Sequence, residues 1–184
     1  MRRSSVPRYS GVAIALHWTS AVLVFCGFAL GLYMSGLTFS PAKLRYLSWH
    51  KWIGITIFLV AAARIAWRLA KPPPPLPASV AAWQRQAAHV SHLLLYALML
   101  VIPLSGWLYS SASGVSVVYL GLVPLPDLVA KDKATATLLL TVHQTLNFGL
   151  AALVALHVAA ALRHGIVKRD GVLQRMLPAR RTPP

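Results

Sequence analysis

A run of 29 residues without a formal charge, between Lys133 and Arg163, limits what this chain can fold into more than any other feature. An apolar run of about 20 residues crosses the hydrocarbon core of a bilayer as an α-helix. Three further apolar runs occur among the 184 residues, of which 57% are hydrophobic and 11% are charged; soluble domains average about 25% charged residues. We therefore predict an all-α membrane protein, a four-transmembrane-helix bundle that forms one domain over residues 1–184.

The predicted spans cover residues 11–33, 47–69, 89–110 and 135–162, and a basic tail follows at 163–184. The second span is the least apolar, because only 12 residues separate Lys51 from Arg64 and spanning needs about 20. Both long side chains can extend toward the headgroups and keep their charges out of the hydrocarbon. Pro103 predicts a kink in the third span.

The basic residues are distributed unequally between the two ends of the predicted bundle. Thirteen of the 18 Lys and Arg residues flank the end that holds both termini, and five flank the other. Because cytoplasmic flanks carry the excess of Lys and Arg, we expect both termini to be cytoplasmic. The net charge of +15 does not indicate nucleic-acid binding, because these residues flank apolar runs and form no single patch.

Four histidines fall at two matched depths of the predicted bundle. His143 and His157 lie on one face of the fourth span, because their separation of 14 positions corresponds to almost four helical turns. His50 lies at the depth of His143, near the outer end of the bundle. His17 lies at the depth of His157, near the inner end. The sequence therefore predicts two pairs of imidazoles, one above the other.

Paired imidazoles from two helices suit a planar metal cofactor whose two axial positions are both filled, as in haem. Two such pairs predict two haems, one near each face of the membrane. A zinc site would need three or four ligands converging on one point. A proton pump would need a carboxylate inside the membrane, but Asp127, Asp132 and Asp170 all fall outside the predicted spans.

Three other residues are candidates that spacing alone does not assign. His92 lies at the depth of the inner pair, so that three imidazoles compete there for two axial positions. Arg64 follows His50 by 14 residues and either pairs with haem propionates or extends to the headgroups. His164, one residue beyond Arg163, is either a solvated histidine at the cytoplasmic interface or a proton donor at a quinone site.

The four spans resemble the bacterial cytochrome b561 family over roughly residues 8–177. The segments that carry the resemblance are RYSGVAIALHW, SWHKWIG, HVSHLLLYALMLVIPLSGW and VHQ…ALHVAAALRH, in chain order. The resemblance implies a multi-pass protein of the bacterial cytoplasmic (inner) membrane that binds two haem b groups and exchanges electrons with quinone. By resemblance, the inner haem iron is bound by His17 and His157 and the outer one by His50 and His143, which leaves His92 without an axial role.

The resemblance also implies two candidate functions. One branch of the family consists of superoxide oxidases, which pass electrons from a small periplasmic anion, superoxide, to ubiquinone. Lys51 would place positive charge beside His50 and steer such an anion inward, or it only anchors a helix end among lipid headgroups. Other relatives are haem-bearing anchor subunits that serve a periplasmic dehydrogenase or another redox protein. We expect the first function, and a neighbouring gene for a periplasmic redox protein would favour the second.

Overall fold

The computed structural model describes residues 8–77 and 80–178. Four long helices follow one another there: α1 Gly11–Ser35, α2 Pro41–Ala70, α3 Ala82–Ala112 and α4 Lys133–Leu162. Each is long and apolar enough to cross a bilayer, so the predicted four-helix membrane bundle is confirmed. Four of the basic residues used to predict orientation lie outside the described residues: Arg2, Arg3, Arg180 and Arg181.

The helices are longer than the predicted spans, above all α2 and α3, which begin before residues 47 and 89. With 30 residues, α2 is about 45 Å long, whereas the hydrocarbon core is about 30 Å thick. Both of its ends therefore reach the headgroup region. The third helix continues through Pro103.

Side-chain caps determine where three of the helices begin. Ser10 accepts a hydrogen bond from the Ala13 amide at the start of α1, and Ser40 accepts one from Lys43 at the start of α2. Asp132 does the same for the Thr135 amide at the start of α4. Each cap satisfies an amide that has no partner within its own helix.

The helices pack in chain order, α1 against α2, α2 against α3 and α3 against α4. Gly27 of α1 lets Ile53 and Ile57 of α2 approach its backbone closely. In contrast, α1 and α4 meet through side chains, as where the ring of Phe28 lies edge-on to that of Phe148. Large apolar side chains on the outer faces are exposed, as expected for a surface covered by lipid.

The connection between α3 and α4 contains a short hairpin that the sequence analysis did not predict. Its strands, β1 Val118–Tyr119 and β2 Val123–Pro124, pair antiparallel across a turn with Leu120 and Gly121 at positive φ. The Trp52 indole donates to the Val118 carbonyl at 2.7 Å. The hairpin is thereby attached to α2 close to His50.

The described part of the predicted basic tail, residues 163–178, is folded. Residues Arg163–Lys168 form a π-helical turn, and a 3₁₀ turn follows at Leu173–Met176. Between them the chain reverses through Arg169 and Gly171, both at positive φ. We call residues 163–178 the C-terminal hook. It returns to the start of α1, where the Trp18 indole donates to the Met176 carbonyl at 2.9 Å.

Candidate functional site

His50 on α2 and His143 on α4 face each other, with ring centroids 6.2 Å apart and ring planes at 83°. Each ring also lies against the backbone of another helix at a glycine. A Cβ at Gly31 of α1 would stand 3.1 Å from the His50 ring, and one at Gly106 of α3 would stand 3.0 Å from the His143 ring. All four helices therefore contribute to the position of the outer pair.

Hydrogen bonds on α3 determine which nitrogen of His143 carries the proton. The Ser105 hydroxyl donates to the Ile102 carbonyl at 2.7 Å, so its oxygen is left to accept. His143 Nδ1 lies 3.0 Å from that oxygen and 3.1 Å from the Ile102 carbonyl. Nδ1 therefore holds the proton and donates, which leaves Nε2 with a free lone pair for a metal.

The other member of the outer pair has an unsatisfied polar atom. His50 Nδ1 is buried without a hydrogen bond of normal geometry, although the Gly27 backbone is its polar neighbour. Both rings line a cavity with mainly apolar walls, formed by side chains of all four helices: Val24, Phe28, Ile57, Met99, Ile102 and Leu150. Apolar walls around facing imidazoles suit a largely apolar macrocycle that contains a metal.

Three imidazoles meet at the inner end, as their predicted depths implied. The His17 and His157 rings have centroids 6.2 Å apart, at 55°. His92 of α3 also lies against His157, with 5.4 Å between centroids. The structure thus brings all three together. His89, one turn earlier on α3, is exposed at the surface.

Arg64 lies in the bundle at the level of the inner histidines. Its Nη2 is 3.3 Å from His17 Nδ1, and its guanidinium lies over the Tyr96 ring, 5.1 Å from the centroid. Because a guanidinium can only donate, Nδ1 of His17 accepts in this arrangement and the proton is on Nε2. Binding of a metal through Nε2 would therefore require Arg64 to release Nδ1, which leaves the guanidinium free for an anionic group.

His164 is not the solvated surface histidine that one of our two interpretations describes. Its Nδ1 lies 2.5 Å from Asp170 Oδ2, and the two side chains are only 14% and 12% exposed. The pair lies inside the C-terminal hook. Asp170 is one of only three acidic residues in the chain.

Sequence reasoning missed four residues that shape these sites: Gly31, Gly106, Ser105 and Asp170. Small residues in membrane helices commonly mark close helix contacts. The sequence could therefore have indicated that the two glycines and Ser105 lie at helix contacts, but not that they contact a histidine. Asp170 had none, because its contact with His164 depends on the reversal of the chain within the hook.

The geometry of the outer pair can be compared with what a bound metal requires. Imidazole–metal bonds are about 2.0–2.1 Å long, so a metal between two ring nitrogens separates the ring centroids by roughly 6 Å. The observed 6.2 Å, the proton on His143 Nδ1 and the apolar walls all fit a haem with two histidine ligands. A four-helix membrane bundle with such pairs defines the class of membrane-bound b-type cytochromes.

Comparison with known proteins identifies the family within this class. The sequence pattern of the prokaryotic cytochrome b561 family matches residues 8–179, and the chain belongs to that family. It is therefore a bacterial membrane electron-transfer protein that binds haem b.

Three relatives cover nearly the whole chain. The "Cytochrome b561 homolog 2" of Escherichia coli (strain K12) is 36% identical over 178 residues, which are 92% of this chain and 91% of that protein. The "Cytochrome b561 homolog 1" of the same organism is 30% identical over 95% of this chain and 99% of that protein. The "Probable superoxide oxidase CybB" of Yersinia pestis is 30% identical over 95% of this chain and 98% of that protein.

Proposed function

We propose that the chain carries two haem b groups, one at each histidine pair, and passes electrons from periplasmic superoxide to ubiquinone. The observation that carries the proposal is the equal separation of the two pairs. Both His50–His143 and His17–His157 have ring centroids 6.2 Å apart. His92 and His157 are closer, at 5.4 Å, which leaves less room for a metal between them. This supports His17 as the second inner ligand.

Several residues of the chain would together hold the outer haem. His50 and His143 would bind its iron, while Gly31 and Gly106 leave the rings the space they occupy. With its Nδ1 proton held by Ile102 and Ser105, His143 would bind the metal through Nε2. Haem iron, when bound, supplies reversible one-electron chemistry. The apolar side chains around the cavity would exclude water from that iron.

At the inner end Arg64 is the residue that would respond to the cofactor. Its guanidinium donates to His17 and stacks on Tyr96. In the loaded protein it would pair with a propionate, because a buried cation is stabilised by an anion within hydrogen-bond reach. His17 Nδ1 would then be free to take the proton.

In the proposed orientation in the bacterial cytoplasmic membrane, with both termini in the cytoplasm, the outer pair faces a periplasmic donor and the inner pair faces the cytoplasmic side, so electrons from superoxide would pass inward. Each superoxide loses one electron and becomes dioxygen, and two such electrons with two protons convert ubiquinone to ubiquinol. Support comes from the basic residues on the outer side and from a relative named as a superoxide oxidase.

Lys51 is the basic residue placed best to attract an anion to the outer site. It follows His50 directly, is half-buried, and its Nζ donates to the Val115 carbonyl at 2.9 Å. Nζ also donates to the Ser116 carbonyl at 3.4 Å. Asp127 lies near enough to act on this charge, but among the described residues no ion pair joins the two side chains. The fixed charge therefore lies beside the outer pair, where it would raise the local concentration of small anions.

The test is to purify the protein, count haem per chain, and mix it with superoxide in a stopped-flow instrument. We expect two haems per chain, each with the absorbance of low-spin iron with two histidine ligands, and rapid haem reduction by superoxide. One haem per chain would contradict the assignment of the second pair. Slow reduction by superoxide would instead favour a haem subunit that serves a periplasmic redox partner.

A further inference from the structure

The connection between α3 and α4 is apolar, although a connection at the end of a membrane bundle ordinarily faces water and is polar. Residues 114–126 contain no charged side chain and consist mainly of Val, Leu, Gly and Pro. Electron transfer between the two histidine pairs does not require such a composition. The surroundings of this segment must therefore explain it.

The apolar side chains at the end of the hairpin are exposed instead of packed against the bundle. Leu122 is 80% exposed, and Leu120 and Val123 are 52% and 51% exposed. We call these three side chains the apolar tip. Exposed apolar patches mark surfaces that a membrane or another protein covers.

Contacts with α2 fix the depth of the hairpin in the bilayer. Trp52 donates to the Val118 carbonyl at 2.7 Å, and the Tyr119 hydroxyl lies 3.0 Å from Thr56 Oγ1. Trp52 lies 11 residues after Pro41, the first residue of α2, which is about 16 Å along the helix. A centred helix of this length extends past the hydrocarbon core by only about 7 Å at each end. The hairpin is therefore attached to α2 at a level below the headgroups.

A hairpin can lie at that level only if its backbone polar groups have partners, because acyl chains offer none. The Gly121 and Leu122 amides in the turn donate to carbonyls of the first strand at 3.3 and 3.0 Å, and the Leu125 amide donates to a carbonyl just before that strand at 2.8 Å. Lys51 and Trp52 supply further carbonyls with donors from α2. The polar contacts of the hairpin are thus made within it and with α2, while its tip is apolar.

We propose that the apolar tip inserts among the acyl chains of the membrane leaflet at the outer end of the bundle. The connection would then be held by polar contacts with α2 on one side and by burial of apolar side chains in lipid on the other. This inference does not depend on which donor reduces the haems.

Continuity with the lipid-covered surface of α2 favours lipid as the occupant. Phe58 and Leu59 follow Thr56, the partner of Tyr119, and both are exposed large apolar side chains of a membrane helix. The hairpin thus adjoins a surface that acyl chains already cover. A soluble redox partner would reach the tip only in the water, and the attachment at Trp52 opposes that position.

The test measures the depth of a spin label on the full, haem-loaded chain in vesicles of phosphatidylethanolamine and phosphatidylglycerol. The label is attached to Leu122→Cys in a Cys26→Ala background, because Cys26 is the only cysteine of the chain. Oxygen concentrates in lipid and a nickel chelate stays in water, so the ratio of their effects on the label reports its depth. Cys26 itself, exposed on α1, is the membrane reference. Ala130→Cys in the Cys26→Ala background, exposed in the same connection, is the water reference.

We expect the oxygen-to-nickel ratio at Leu122→Cys to be several-fold higher than at Ala130→Cys and nearer to the ratio at Cys26. A ratio equal to that at Ala130→Cys would show that the tip faces water, where a soluble partner could bind it, and would overturn the proposal. Low access of both reagents would show that protein covers the tip and would overturn it too. Spin–spin broadening would then identify the covering protein as a second copy of the chain.

A second measurement uses the unaltered chain. Phospholipids with a photoreactive diazirine in one acyl chain are added to the vesicles, and the labelled peptides are identified by mass spectrometry. We expect labels on residues 118–123 as well as on the membrane helices. Leu122→Asp should reduce labelling of this segment, because a carboxylate is costly among acyl chains. Labels on the helices but none on residues 118–123 of the unaltered chain would contradict insertion.

Discussion

The imidazole of His143 lies against the backbone of α3 at Gly106, so closely that a Cβ there would stand 3.0 Å from the ring. The same relation holds between His50 and Gly31 of α1, at 3.1 Å. Both distances are shorter than an ordinary van der Waals contact. The positions of the two outer histidines therefore depend on glycines of α1 and α3, two helices that supply no ligand to the outer site.

Gly106→Ala should displace the His143 ring and weaken cofactor binding at the outer site. We expect loss of outer haem with the inner haem retained, measured as haem per chain and by the absorbance of the reduced protein. Gly149→Ala in α4 is the matched control, because a Cβ there meets nothing within 4 Å. That variant should keep both haems and be as stable as the wild type or slightly more so, since Ala is favoured over Gly in a helix by about 0.5–1 kcal/mol. Equal haem loss in both variants would contradict the packing argument.

Ser105→Ala should loosen the orientation of His143 without removing it. The variant loses the oxygen that accepts from Nδ1, but the Ile102 carbonyl remains as a partner. Loss of such a contact behind a metal ligand commonly lowers metal affinity about 10- to 100-fold. A haem-titration experiment on protein produced without haem would measure the change. Affinity equal to that of the wild type would show that Ile102 alone orients the ring.

Single alanine substitutions should separate the two proposed haems. His50→Ala or His143→Ala should remove the outer haem and leave the inner one. His17→Ala or His157→Ala should do the reverse. His92→Ala is the discriminating variant, because its ring is the nearer neighbour of His157. If His92→Ala removed the inner haem and His17→Ala did not, the inner assignment would pass from His17 to His92.

Arg64→Gln should affect only the inner site. Without the cation a propionate there would lose a charge-assisted hydrogen bond, so the inner haem should dissociate faster while the outer one is unchanged. Arg64→Lys keeps the positive charge, so this variant should release the inner haem more slowly than Arg64→Gln does. It should still release it faster than the wild type, because lysine lacks the planar fork of the guanidinium. Transfer of haem to apomyoglobin would measure dissociation. Identical rates in all three proteins would show that Arg64 contacts no propionate.

Reduction of the haems by superoxide should depend on salt and on Lys51. Steering by a fixed positive charge weakens as ionic strength rises, because the screening length is about 10 Å at 0.1 M salt. Lys51→Gln should lower the rate at low salt and flatten its salt dependence. Lys168→Gln removes one positive charge at the opposite end of the bundle and should leave the rate unchanged. A similar fall in the rate for Lys168→Gln would exclude local steering by Lys51.

Long apolar runs and helical spacing were enough to predict the membrane bundle and the two levels of histidines. Uncharged runs of this length can satisfy their backbone in lipid only as helices, and helical geometry fixes the angle between residues 14 positions apart. The amino-acid sequence alone therefore assigns His50, His143, His17 and His157 to their depths. These are local properties of single helices, and they need no knowledge of how the helices pack.

The side chains that surround those histidines are a property of the tertiary fold. Contacts such as Gly106 with His143, or Arg64 with His17, depend on the rotation of one helix against another. Helices that are hydrophobic on all sides do not specify that rotation in their sequences. The same is true of His164 and Asp170, which meet because Arg169 and Gly171 turn the chain back on itself. Depth in the membrane is set along one helix, whereas these contacts are set by packing between elements.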